Sequence, residues 1–211
     1  MTRRVLSFLV FQLGVMSLLP GSASGAGPKI KHFAASPSGK YVAYVIEQEH
    51  HHEVWLRREG EKDRVLLSAE RLKKINYTYA STVTDLAWSP SERFLSVSVH
   101  DGDVDLITAV CDLQSGATEA LCERAGGSYA RWHPSSDLLF SVRSEHDAWT
   151  GTEIYQYVAE NRKGIKIHIK DDVQDFQPVA TGLVLKVDIW TTQPGLTYRE
   201  ELVFIPYASF K

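Results

Sequence analysis

Apolar and polar residues alternate with period two along most of the chain, and the clearest run lies between Val83 and Cys122. Leu95, Val97 and Val99 alternate with Ser96 and Ser98 there, and Leu106 to Val110 reads as the strand running back. Ser89-Pro90-Ser91-Glu92, His100-Asp101-Gly102-Asp103 and Gln114-Ser115-Gly116 interrupt the apolar spacing, as turn-forming residues do. The stretch therefore predicts four short strands: Thr84–Trp88, Phe94–Val99, Leu106–Val110 and a brief last one before Cys122.

This unit recurs. The copies span about residues 29–68, 82–122, 128–170 and 173–206. The first holds Ile30–Ala35, Tyr41–Ile46, Val54–Leu56 and Val65–Leu67, with a loop over Glu47–His52. The third holds Tyr129–Trp132, Leu138–Val142, Glu153–Val158 and Ile165–Ile169. The fourth is fainter, with Asp175–Pro178, the alternating Leu183, Leu185, Val187 and Ile189, then Glu201–Ile205 and no outer strand. Prolines Pro37, Pro90, Pro134 and Pro178 are read as turn residues, at intervals of 53, 44 and 44. Two residues before them stand Ala35, Trp88, Trp132 and Phe176, of which the three aromatics suit packing between sheets. An insertion from Glu70 to Ser81 explains the longer first interval and predicts one helical turn or a surface loop. Its Arg71 to Tyr79 stretch is a candidate contact for a protein partner, and Asn76-Tyr77-Thr78 matches a glycosylation sequon.

A period near 44 with four strands per repeat is the pattern of a β-propeller. LAWSPSERFLSVSV with VCDLQSG downstream, FAASPSGKYVAYV and ARWHPSSDLLFSV resemble the WD40-like repeats of exported propellers. The TolB-like periplasmic propellers and the N-terminal propeller of dipeptidyl-peptidase-type enzymes carry such repeats. The resemblance implies an all-β propeller of about four blades, incomplete or small, over residues 27–211. It also implies a scaffold for protein contacts at the cell envelope, or a propeller from a larger peptidase. An open arc would leave sheet edges exposed, a route to a homodimer.

Residues 1–26 read differently. Arg3 and Arg4 precede an apolar run from Val5 to Leu19 and a small-residue segment ending at Ala26, the layout of a secretory signal peptide. Export to the periplasm or outside the cell is therefore expected. Losing Arg3 and Arg4 with the leader takes the net charge from −3 to −5, which argues against a nucleic-acid partner. The rest of the chain holds no apolar run of membrane-spanning length. Cys111 and Cys122 are expected as buried thiols, with a disulfide as the alternative. A three-residue hairpin loop would set Cys111 opposite Glu119.

Candidate chemistry gathers on the loops between second and third strands, which a propeller brings to one face. These offer His50, His52, His100, Asp101, Asp103, Glu145, His146, Asp147, Trp149 and Trp190 as a binding surface. The alternative function is a metal- or small-ligand-binding sensor on these His and Asp loops, with His50, His52, His100 and His146 as its metal set, since imidazole suits zinc and its neighbours. The plainer expectation is no metal, with these residues as solvated hairpin tips. Asp101 to Asp105 lacks the Glu that a calcium loop requires at its twelfth position. No nucleophile elbow, His-Glu-x-x-His helix or phosphate loop is present, so neither catalysis nor a cofactor is expected.

Overall fold

The computed structural model describes residues 28–48, 51–76, 82–100, 106–120, 130–143, 151–190 and 198–210. Unit 1 is a four-stranded antiparallel sheet of β1 (Lys29–Ala35), β2 (Tyr41–Gln48), β3 (His51–Arg58) and β4 (Arg64–Leu67), in chain order. Unit 2 repeats it with β5 (Thr82–Trp88), β6 (Phe94–His100), β7 (Leu106–Asp112) and β8 (Thr118–Ala120). The turns at Pro37, Pro90 and Pro134 form where expected, and Gly39 takes the left-handed φ of 76° that its turn requires.

Units 3 and 4 are not separate sheets. A six-stranded sheet joins β9 (Ala130–Trp132), β10 (Leu138–Arg143), β11 (Gly151–Val158), β12 (Lys163–Val179), β13 (Gly182–Trp190) and β14 (Tyr198–Pro206) in order. Strand β12 runs unbroken for 17 residues. Its first half pairs with β11 and its second half with β13, so one strand is both the outer edge of unit 3 and the inner strand of unit 4. The expected break between Ile169 and Asp175 does not occur. Pro178 is accordingly not a turn residue: it lies within β12 opposite Leu183, and the turn falls at Ala180-Thr181. Unit 4 ends on the edge strand β14, in keeping with the sequence pattern.

The described part of the insertion is a helix, α1 (Ala69–Asn76), and the rest lies outside the described residues. The Ser68 hydroxyl accepts the Arg71 N–H at 3.3 Å as an N-cap, and Leu72 is fully buried in the core between units 1 and 2. The hairpin after β7 also differs from expectation. Asp112 accepts N–H groups of Gln114 and Ser115 and the Ser115 hydroxyl, which closes a four-residue loop. Cys111 therefore stands opposite Thr118, not Glu119. It is a buried free thiol, and burial pushes its pKa up to about 11.

Among the described residues three hydrophobic cores lie between successive units. Ala43, Val45, Val54 and Leu56 of unit 1 meet Val83, Trp88, Leu95 and Val97 of unit 2. Phe94 and Val110 meet Leu139 and Tyr157 of unit 3, and Phe140 and Ile154 meet Leu183 and Leu185 of unit 4. Among the described residues no core joins unit 4 to unit 1. No helix among them is long and apolar enough to cross a membrane.

Candidate functional site

Antiparallel connectivity sorts the connections to the two opposite ends of the strands. The loops between second and third strands lie at one end, and the proline turns with the third-to-fourth turns lie at the other. Of the residues expected at the first end, His50, Asp101, Asp103, Glu145, His146, Asp147 and Trp149 fall outside the described residues, as does Cys122. Trp190 closes β13 and His100 closes β6, so both stand at strand ends rather than in loops.

His52 is not a loop residue either. It lies inside β3, 6% exposed, and its Nδ1 accepts the Val83 N–H at 2.9 Å. The neutral ring therefore carries its proton on Nε2, 3.9 Å from Glu47 Oε1. Burial holds the imidazole below its ordinary pKa against the opposing pull of Glu47. His52 thus joins unit 1 to unit 2. Among the described residues no three His, Cys, Asp or Glu side chains group as metal ligands would.

Two joints repeat from unit to unit. The Trp88 indole N–H donates to the Ala34 carbonyl at 2.9 Å, and the Trp132 indole N–H donates to the Ala87 carbonyl at 3.0 Å. Each acceptor stands one residue before the aromatic position of the preceding unit, so the two tryptophans occupy equivalent niches. At the turn end, the Ser38 N–H and hydroxyl donate to the Glu92 carboxylate, and those of Ser91 donate to Asp137. Glu92 adopts φ 62° in the place of Gly39, a conformation that costs a non-glycine residue roughly 1 kcal/mol. Its bonds to Ser38 offset that cost. Partial burial works against the Glu92 carboxylate, but those bonds outweigh it and lower the pKa.

Between units 1 and 2 at this end lies a cleft of about 160 Å³, where Tyr41, Leu56 and Leu113 meet the charged Arg58, Glu61, Lys62 and Arg64. Tyr41 stacks on Trp88 with ring centroids 5.7 Å apart, and Lys40 and Arg58 stand 5.2 and 5.8 Å from its ring. Arg58 pairs with Glu61, which leaves the lining cationic. Ligand pockets usually measure several hundred Å³. This one suits a single carboxylate or acidic side chain beside an aromatic ring, not an extended substrate.

No protein-family model and no curated protein matches the sequence. Solved structures do. The chain is similar to the β-propeller domain of the Trilobed protease from Pyrococcus furiosus, described as having an open velcro topology, at 14% identity and a TM-score of 0.57. That likeness covers 84% of this chain and 54% of the other. The fold is a β-propeller. Two further similar structures are a prolyl endopeptidase (14% identity, TM-score 0.54, covering 82% of this chain and 29% of that one) and the tricorn protease (11%, 0.55, 86% and 22%). The chain spans about half or less of each, and at these identities the likeness is one of fold.

In propeller terms the units are four blades. The sequence marks the tryptophans of the blade joints but not their serine–carboxylate partners. The repeated Ser-Pro-Ser of Ser36–Ser38 and Ser89–Ser91 is the available signal, since a serine kept at one turn position in two blades has a common duty.

Proposed function

We propose that this chain is an exported, non-catalytic propeller domain that serves as a scaffold for protein contacts in the cell envelope. One observation carries this reading. Trp88, Trp132, His52, Glu92 and Asp137, polar groups of the kinds that serve chemistry elsewhere, are committed to holding one blade to the next. The leader pattern of residues 1–26 supports export, and the Ser-Pro turns that resemble TolB-like repeats support an interaction role. The cationic cleft beside Tyr41 is the described surface best suited to an acidic segment of a partner.

A second reading has its own support: the neighbours include prolyl endopeptidase and tricorn protease. On that reading the chain is the remnant propeller domain of a larger peptidase, without activity of its own.

Affinity capture from the native envelope fraction tests both, with the wild-type chain and an Arg58→Glu/Arg64→Glu variant as baits. The scaffold reading expects a saturable partner that the variant fails to retain. Capture of a peptidase favours the second reading. Peptide hydrolysis by the purified chain above that of a heat-denatured sample would sink both.

A further inference from the structure

The cleft beside Tyr41 is built on the face of blade 1 that meets blade 2. Tyr41 stands opposite Arg58 across β2 and β3, and Leu56 stands opposite Arg64 across β3 and β4. Leu56 belongs to the core of this joint, and Tyr41 and Leu113 pack against it. Residues two apart on a strand share a face, so Arg58 continues the line of Leu56 past the core toward the turn end. The cleft thus joins apolar and aromatic side chains to three cations, Arg58, Lys62 and Arg64, and to one carboxylate, Glu61.

That carboxylate is the telling group. The turn after β3 fixes its backbone, since the Glu61 N–H donates to the Arg58 carbonyl at 3.0 Å. Its side chain is held less firmly. Glu61 Oε1 meets the Arg58 guanidinium at 2.5 Å, but the two side chains are 52% and 42% exposed. An ion pair so open to water contributes little to stability and exchanges readily with other partners. Glu61 therefore sets a carboxylate among cations beside an aromatic ring, at a place where the fold does not need one.

We propose, on the reading of this cleft as the contact for an acidic segment, that Glu61 is an internal placeholder. It occupies the position of an acidic side chain of a protein partner, which displaces it from Arg58 on binding. The volume of about 160 Å³ admits one such side chain. The incoming carboxylate takes the Arg58 guanidinium, whose fixed fork of donors serves either carboxylate in the same geometry. Lys62 and Arg64 supply the surrounding positive field, and Glu61 swings into solvent. The competition sets a threshold. An isolated acid gains little over Glu61, whereas a run of acids also engages Lys62 and Arg64.

Fluorescence anisotropy of a labelled hexaglutamate peptide, acetylated and amidated so that only its side chains carry carboxylates, is the test. It is run on the purified chain at about 0.15 M salt, where charges more than roughly 8 Å apart are largely screened. Wild type should bind hexaglutamate and not hexaglutamine. Glu61→Gln should tighten binding roughly two- to fivefold, the range over which an exposed ion pair competes. Arg58→Gln should weaken it at least about tenfold, and in that background Glu61→Gln should no longer tighten it, because the contested group is gone. Glu59→Gln removes the same charge from the same turn but from outside the cleft, and should leave the affinity unchanged. Thermal melts confirm that each variant is folded. An unchanged or weaker affinity in Glu61→Gln, or an equal gain in Glu59→Gln, overturns the placeholder and leaves the acidic-segment reading standing. Absence of hexaglutamate binding in both wild type and Glu61→Gln, or equal binding of hexaglutamine, overturns both.

Discussion

The indole N–H of Trp132 reaches across a blade boundary to the carbonyl oxygen of Ala87, 3.0 Å away, and the Ser96 hydroxyl lies at the same distance from that nitrogen. The aromatic is therefore both a wedge and a hydrogen-bonding clamp. Trp132→Phe keeps most of the wedge and removes the clamp, at an expected cost of about 1–2 kcal/mol. Trp132→Ala removes both and should cost about 3–5 kcal/mol. Urea unfolding of both variants, with Trp88→Phe and Trp88→Ala as the equivalents one blade earlier, checks the size of the effect and its repetition.

His52 supplies a pH-dependent joint. Its folded-state pKa lies below the unfolded value of roughly 6.5, so its contribution is complete above that value. As pH falls below it, the unfolded chain takes up the proton more readily and stability declines. His52→Leu leaves the buried Val83 N–H without its acceptor and should cost about 1–3 kcal/mol at neutral pH. It should also flatten the loss of stability between pH 7 and about pH 5. Urea midpoints of both proteins across this range give the comparison, and a variant that declines as steeply as wild type contradicts the assignment.

Asp112 acts at lower pH. The Arg93 guanidinium beside it, joined by backbone and hydroxyl donors of its own turn, holds its carboxyl well below the usual carboxylate range despite partial burial. Its contribution is complete above about pH 4, where the unfolded carboxyl is ionised, and fades as pH falls toward the folded-state value. Asp112→Asn should lower stability at neutral pH and shrink the acid limb of the pH–stability curve. Thermal melts at pH 3 and pH 7 should converge in the variant more than in wild type.

Gly182 has no room for a side chain. A β-carbon there would stand 2.3 Å from the Ile205 carbonyl oxygen and 2.8 Å from the Phe204 ring. Gly182→Ala should destabilise by about 1–3 kcal/mol through displacement of β14. The nearest obstacle is backbone, so shortening Phe204 in the same chain should not restore the loss. Chemical denaturation of the single and double variants reads this out.

The fold is written in the chain more plainly than the site. Trp88 and Trp132 recur at an interval of 44, and their turns are bounded by proline and serine, so blades 2 and 3 are legible from spacing alone. The departures share a cause: local signals mislead where long-range pairing decides. Pro178 follows an aromatic as the turn prolines do, yet β12 pairs with one neighbour and then another, and nothing local records a change of partner. His52 sits among histidines, which reads as a loop. It also falls in step with Val54 and Leu56, and that alternation is the truer sign of its burial. The partners of Ser38 and Ser91 stand 54 and 46 residues away, about one repeat on; the period marks equivalent positions in successive blades but not which of them touch.

Strand β12 gives the molecule a direction of yield. A pull on the C-terminal end travels through one hydrogen-bonded sheet into the middle of the chain, so the last two blades must give way as a single plate. A pull on the other end meets seams of side chains that open in succession. Amide deuterium should accordingly enter the third and fourth blades together.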